Sequence, residues 1–220
     1  MGHSVMQGIF FEDFKSSFIP DILKEIYIDK IYAMYLDGRS DLTIVDIGAN
    51  VGLFTFYVYP FAKKIYAIEP SQQHLKVFKQ MLSFNDMEDK VTVVEKAIFY
   101  EDKKMQLHHN ANTTMFSLSK VVGDPKLGIE NVTATRMDTL FTQYSIDHVH
   151  FLKLDIEGAE VDVIGGEGFE KVADKIDAMV VEYHDWSARS PTQLITTLHD
   201  YGFKTRIIPS SAKLIGAVRT

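Results

Sequence analysis

Apolar positions along this chain alternate between two spacings, and each change of spacing marks a new element. Leu42-Thr43-Ile44-Val45-Asp46-Ile47 is a β-branched run of strand length. It ends in Gly48-Ala49-Asn50-Val51-Gly52 and passes into an amphipathic stretch from 51 to about 61, interrupted by Pro60. Strand, tight turn and helix start, in that order, make the first half of a βαβ nucleotide-binding unit. Residues 64–68 predict the next strand, closed by Glu69 and Pro70. Ser71 stands where an N-cap is needed for a helix reaching Phe84, in which Leu75, Phe78, Met81 and Leu82 keep helical spacing. Residues 91–94 predict a third strand. This alternation implies an α/β fold with a right-handed, mostly parallel sheet.

Ahead of this core, Ile22, Leu23, Ile26, Ile31, Tyr32 and Tyr35 recur at helical spacing, and Gly38 is a stop. One or two helices are expected there, lying on the sheet or lidding a pocket. Phe10, Phe11, Phe14 and Phe18 are expected in the core rather than in a substrate pocket. After Ala97 the alternation breaks. Residues 98–100 and 105–108 predict a hairpin about the charged turn Glu101-Asp102-Lys103, with short strands over 114–119 and 132–136 separated by loops. Such interruptions often carry substrate contacts. His108 and His109 have no third ligand in register, so solvated or edge histidines are expected, not metal ligands. Asp138 is placed to cap a helix over 139–144.

The second informative stretch is Val149-His150-Phe151-Leu152-Lys153-Leu154-Asp155-Ile156-Glu157-Gly158-Ala159-Glu160. A buried strand delivers carboxylates to its carboxyl end, where open α/β sheets bind ligands. Alternation puts Lys153 and Asp155 on one side, where they can pair. Asp155, at a strand tip, is expected to be functional, whereas Glu160 is expected only to stabilise the next helix through its dipole. Residues 178–184 predict a fifth strand with Glu182 and His184 on one face. Adjacent strand ends would gather Asp155, Glu182 and His184 on one rim. A helix from Pro191 to Tyr201 and an antiparallel pair, 203–208 with 213–218, complete the pattern.

Bulk properties narrow the function. The 220 residues, 46% hydrophobic and 24% charged, suit one domain with a full core. A net charge of −7 disfavours a phosphate-backbone partner, so nucleic acid is not expected. The absence of cysteine excludes disulfides and thiolate metal sites. With no bilayer-length apolar run and no cleavable leader visible, a cytoplasmic protein without a membrane partner is expected. Residues 1–4 are given no structural weight, and the oligomeric state is not legible.

The glycine turn sharpens the chemistry. A dinucleotide fingerprint needs Gly-x-Gly-x-x-Gly so that pyrophosphate can approach the backbone. Here the spacing is Gly48-x-x-x-Gly52, the middle glycine is absent and Asp46 precedes the turn. That suits a ligand with a cationic end. Glu69, at the tip of the second strand, could accept hydrogen bonds from both ribose hydroxyls of an adenosine. Together these resemble the S-adenosylmethionine site of Rossmann-like methyltransferases.

Three blocks, Val45 to Gly52, Ile68-Glu69-Pro70 and Lys153 to Glu160, resemble the signature of the FkbM-type methyltransferases over roughly residues 40–205. The resemblance implies a Rossmann-like class I methyltransferase fold: a seven-stranded, mostly parallel sheet with an antiparallel C-terminal hairpin. Residues 1–40 would form an N-terminal helical extension capping it, and 41–220 the S-adenosylmethionine-binding domain. It implies O-methylation of a small-molecule or carbohydrate acceptor. By the same resemblance Asp46, Gly48, Asn50 and Gly52 hold the methionine end of the cofactor, Glu69 and Pro70 the ribose, and Glu95, Lys96 and Ala97 lie near the adenine, with Asp155 at the same site.

A sugar or alkyl hydroxyl also needs a general base or a metal. His184 is the first candidate for the base, oriented by Glu182 or Asp155. Asp155 with Glu157 could instead hold a divalent cation such as magnesium, but spacing reveals no third ligand and metal ranks second. Two other functions fit parts of the pattern. An NAD-dependent oxidoreductase could use Glu69 but lacks the middle glycine, and a silent cofactor-binding module would share the turn without turnover.

Overall fold

A computed structural model describes residues 3–6, 9–12, 19–36, 38–109, 116–117, 128–184, 191–210 and 212–220. The chain opens with β1 (His3–Met6) and β2 (Ile9–Glu12), an antiparallel pair that the downstream helical spacing did not announce. Phe10 and Phe11 lie in β2, while Phe14 and Phe18 lie outside the described residues. Next come α1 (Ile19–Leu23), a π-helical turn (Lys24–Ile28) and α2 (Ala33–Leu36). The first βα units are β3 (Leu42–Ile47), α3 (Leu53–Val58), β4 (Ala62–Ile68), α4 (Gln72–Phe84) and β5 (Val91–Val94). The interrupting segment supplies β6 (Ala97–Ile98), β7 (Lys103–His109), β8 (Phe116–Ser117) and β9 (Ile129–Thr135), followed by α5 (Met137–Gln143). The second half contains β10 (Phe151–Leu154), α6 (Glu160–Ile164), α7 (Glu167–Glu170), β11 (Ala178–Glu182), α8 (Pro191–Asp200), β12 (Phe203–Ile208) and β13 (Leu214–Arg219).

Seven strands form the main sheet in the order β12-β13-β11-β10-β3-β4-β5. The five from β11 to β5 run parallel, and β13 is antiparallel to both β11 and β12. Alternation sorts each strand between two cores. Leu42, Ile44, Phe151 and Val180 face one, whereas Val45, Ile47, Leu152, Leu154 and Val181 face the other. The N-terminal helices lie on the first face: Tyr32 packs on Phe54 with ring centroids 4.7 Å apart, and Tyr35 on Phe151 at 5.1 Å. No helix among the described residues is long and apolar enough to cross a membrane.

Three local expectations are corrected. Residues 98–100 and 105–108 do not pair as a hairpin, because β9 lies between β6 and β7 in a separate four-stranded sheet. Asp102, expected in the turn, is anchored instead by the hydroxyls of Thr135 and Thr139 (both 2.8 Å) and the Arg136 amide (2.9 Å). Asp138 does not cap α5; the helix begins at Met137, and Asp138 takes a two-pronged hydrogen bond from Arg136 at 2.9 and 2.6 Å. His108 is neither solvated nor at an edge but buried within β7, which pairs on both sides.

Candidate active site

The strand order reverses between β3 and β10, and a sheet of this kind opens a ligand crevice at the carboxyl ends on either side of that point. The cleft found there is lined by Gly48, Asn50, Glu69, Pro70, Lys96, Ala97 and Asp155, with Ile68, Ile98 and Leu107 among its apolar walls. Seven of the ten residues expected at the cofactor therefore share one cleft. Asp46, Gly52 and Glu95 do not line it, and the Glu95 carboxylate instead accepts from Gln72 (3.1 Å) and Lys79 (2.5 Å).

Asp46 is fully buried below the turn, on the same strand face as Ile44. Its Oδ2 accepts the Thr55 hydroxyl at 2.6 Å, and its Oδ1 lies 3.9 Å from the Lys153 ammonium. Burial pushes its carboxyl up, a shift that Lys153 and Thr55 partly offset. Asp46 therefore does not line the cleft; it lies beneath the turn between Thr55 and Lys153. Gly52 caps α3 with φ +90°, and a Cβ there would stand 2.3 Å from the Phe78 ring. Its task is to let α3 lie against α4. Gly52→Ala should lower stability by roughly 2–4 kcal/mol through overpacking and left-handed strain, read as an earlier urea midpoint.

The turn itself is tightly held. The Gly48 and Ala49 amides both donate to the Ile68 carbonyl, at 2.9 and 3.0 Å. Glu69 accepts the Asn50 amide (2.9 Å) on Oε2, and the Ser71 amide (2.9 Å) and His74 Nδ1 (3.2 Å) on Oε1. A carboxylate offers about four acceptor positions, so roughly one remains for a ligand hydroxyl while His74 stays in place. A grip on both ribose hydroxyls would need the acceptor position that His74 occupies here. His74 was missed by sequence reasoning, although it shares the apolar stripe of Phe78 and Leu82 and so had to be buried.

Beyond Asp155 the cleft meets a second group of polar side chains. His184 is buried just past β11, with Nδ1 2.9 Å from Glu160 Oε1. Its Nε2 lies 3.5 Å from Glu157 and 3.8 Å from Glu182. The rim thus brings His184, Glu182 and Asp155 together as expected, but the orienting carboxylate is Glu160. Glu160 is wholly buried and also accepts the Ile156 and Gly158 amides, each at 3.1 Å. It is no mere helix-dipole partner. Its spacing with Val163 and Ile164, both buried, was the available signal. Burial alone would depress His184, but the Glu160 hydrogen bond and the fields of Asp155, Glu160 and Glu157 outweigh it and push the imidazole up to about 9. Glu157 and Glu182 are pushed above the ordinary carboxylate range, by burial first and by Asp155 second.

Asp155, Glu157 and His184 offer ligand atoms within 4.8 Å of one another, so His184 stands where a third ligand, which spacing did not reveal, would have to be. Such a set could hold a divalent cation. His148, His150 and Asp177 form a second cluster at the amino ends of β10 and β11. There His150 Nδ1 accepts the Thr43 amide at 3.0 Å, which puts the ring proton on Nε2 and denies that nitrogen to a metal.

A doubly wound sheet with a glycine turn, an acidic second strand tip and a polar rim across the switch point defines a nucleoside-cofactor enzyme of the methyltransferase class. The profile of the methyltransferase FkbM domain matches residues 46–205, and the chain belongs to that family. It is 29% identical over 210 residues to "Methyltransferase 1" of Beauveria bassiana, covering 84% of this chain and 81% of that one. Against "Methyltransferase sdnD" of Sordaria araneosa the identity is 27% over 216 residues, with 83% and 81% covered. Among solved structures, the magnesium protoporphyrin IX methyltransferase of Synechocystis PCC 6803 with bound SAM aligns at a TM-score of 0.55 and 12% identity, over 95% of this chain and 87% of that one, a likeness of fold. The chain is an S-adenosylmethionine-dependent methyltransferase, and membership sets aside the dinucleotide oxidoreductase.

Proposed function

We propose that this enzyme methylates a hydroxyl of a small-molecule or carbohydrate acceptor, with His184 taking the hydroxyl proton. The observation that carries this is a buried imidazole, held by Glu160, on the rim where the cofactor cleft ends. S-adenosylmethionine supplies an already activated methyl group. Gly48, Asn50, Glu69, Pro70, Lys96, Ala97 and Asp155 bind and orient it, with Asp46 and Gly52 supporting the turn. Alignment of this kind can contribute on the order of 7–11 kcal/mol to lowering the barrier. Asp155, Glu160 and Glu157 favour the protonated form of the imidazole once it has taken the proton.

A base must be unprotonated to act, and His184 is held protonated until about pH 9. The rate is therefore expected to rise with pH through about 9, and that limb should vanish in His184→Ala but persist in Glu182→Gln. The direct test incubates the chain with S-adenosylmethionine and a panel of glycosides and small alcohols, reading S-adenosylhomocysteine release and the site of methylation by mass spectrometry. An O-methyl ether supports the proposal. Methyl on nitrogen or carbon, or binding without turnover for any acceptor, would overturn it. The 4.8 Å cluster favours one competing mechanism: loss of activity with EDTA, restored by Mn²⁺, would replace the base with a cation held by Asp155, Glu157 and His184.

A further inference from the structure

Gly48 and Asp155 line the cleft nearest the switch point, and they directly follow different strands, β3 and β10. Backbone contact alone brings them close, since the Asp155 amide donates to the Ile47 carbonyl at 3.0 Å. Beneath them lies a side chain that does not line the cleft. The Lys153 ammonium donates to the Gly48 carbonyl at 3.2 Å and to Asp155 Oδ2 at 3.0 Å, with its side chain 10% exposed. Two of its three N–H donors therefore reach the two walls. Asp46 Oδ1, with no hydrogen-bond partner among the described residues, faces the same ammonium at 3.9 Å.

We propose that Lys153 is a positioning residue of the cofactor cleft, its ammonium tying the Gly48 turn to the Asp155 carboxylate from below the floor. The proposal rests on the cleft being the S-adenosylmethionine site. Burial works against a charged lysine, but Asp155 and Asp46 more than compensate and keep it protonated. Its geometry is specific: an ammonium can bond a carbonyl and a carboxylate together, whereas a methyl thioether of similar length fills the space and bonds neither. The competing explanation is that Lys153 exists only to neutralise buried Asp46. The two differ in what happens when both charges are removed.

The experiment measures S-adenosylhomocysteine affinity by calorimetry and stability by urea denaturation for the native chain, Lys153→Met and the double variant Asp46→Asn/Lys153→Met. The single variant strands Asp46 without its cation, so it should unfold at lower urea. It should also bind S-adenosylhomocysteine roughly tenfold more weakly or worse. In the double variant stability should recover, because the buried charges leave together, while binding stays weak by roughly tenfold or more. If affinity returns along with stability, or if folded Lys153→Met binds as the native chain does, Lys153 is not a positioning residue. If Lys153→Met does not fold, the double variant is compared with Asp46→Asn, and binding no weaker than in Asp46→Asn overturns the proposal. A native chain that fails to bind S-adenosylhomocysteine would instead sink the cofactor assignment, a separate outcome.

Discussion

Gly48→Ala is expected to abolish detectable S-adenosylhomocysteine binding and to cut turnover by on the order of 100-fold or more, the loss that a shift of about 1 Å can cause. A Cβ at Gly48 would stand 1.7 Å from the Asp155 carbonyl oxygen, and 2.9 Å from its carbon. The obstacle is backbone, not the far end of a flexible side chain. Asp155 cannot retreat without breaking the hydrogen bond from its amide to the Ile47 carbonyl and the β3–β10 register beneath it. The φ of +80° at Gly48 adds roughly 1–2 kcal/mol for any L side chain. The methyl would thus push apart the two strand ends that make the cleft. Calorimetry with S-adenosylhomocysteine, beside circular dichroism to confirm folding, checks this; a folded Gly48→Ala chain with native affinity would refute it. Gly52→Ala provides the contrast, since its clash is with the Phe78 ring away from the cleft.

His184→Ala should lower turnover by roughly 10²–10⁴ while leaving S-adenosylhomocysteine affinity within about threefold, because removing a general base affects the transition state and not cofactor binding. Glu160→Gln is the finer probe. The glutamine oxygen can still accept the His184 Nδ1 proton but carries no charge. Glu160 helps hold the imidazole protonated, through its hydrogen bond and its field, so its neutralisation lowers the His184 pKa. Base form then accumulates at lower pH, and the rising limb of the rate profile should move to the acid side of about 9. Turnover should also fall, since one amide oxygen must replace two carboxylate oxygens in holding Gly158 and Ile156. A profile that stays in place would remove Glu160 from the chemistry. Equal turnover in His184→Ala would remove the histidine.

Much of this was legible in the residue pattern. The run from Leu42 to Gly52, the acidic tip at Glu69 and the block from Lys153 to Glu160 carried the sheet core, the family and seven cleft residues. The departures share a cause. Asp46 sits at a strand end in sequence, but its side chain follows Ile44 to the covered face of the sheet, where Thr55 and Lys153 receive it. Glu160 was read as a local helix partner because its neighbours in sequence are a turn and a helix, yet its decisive partner, His184, is 24 residues away. The hairpin after Ala97 failed for the same reason, since β9 comes from 20 residues beyond β7 to sit between β6 and β7.

The sequence by itself determined what repeats within a turn of helix or two residues of strand: the elements, the buried faces, the glycine turn and the carboxylates at strand ends. Those follow from local sterics and periodicity, which each segment expresses alone. Only the tertiary structure decided which charged groups meet. Whether Glu160 or Glu182 holds His184, and whether Asp46 faces ligand or lysine, depends on strand order and register. These are set by packing between segments far apart in the chain, where no short-range pattern records them.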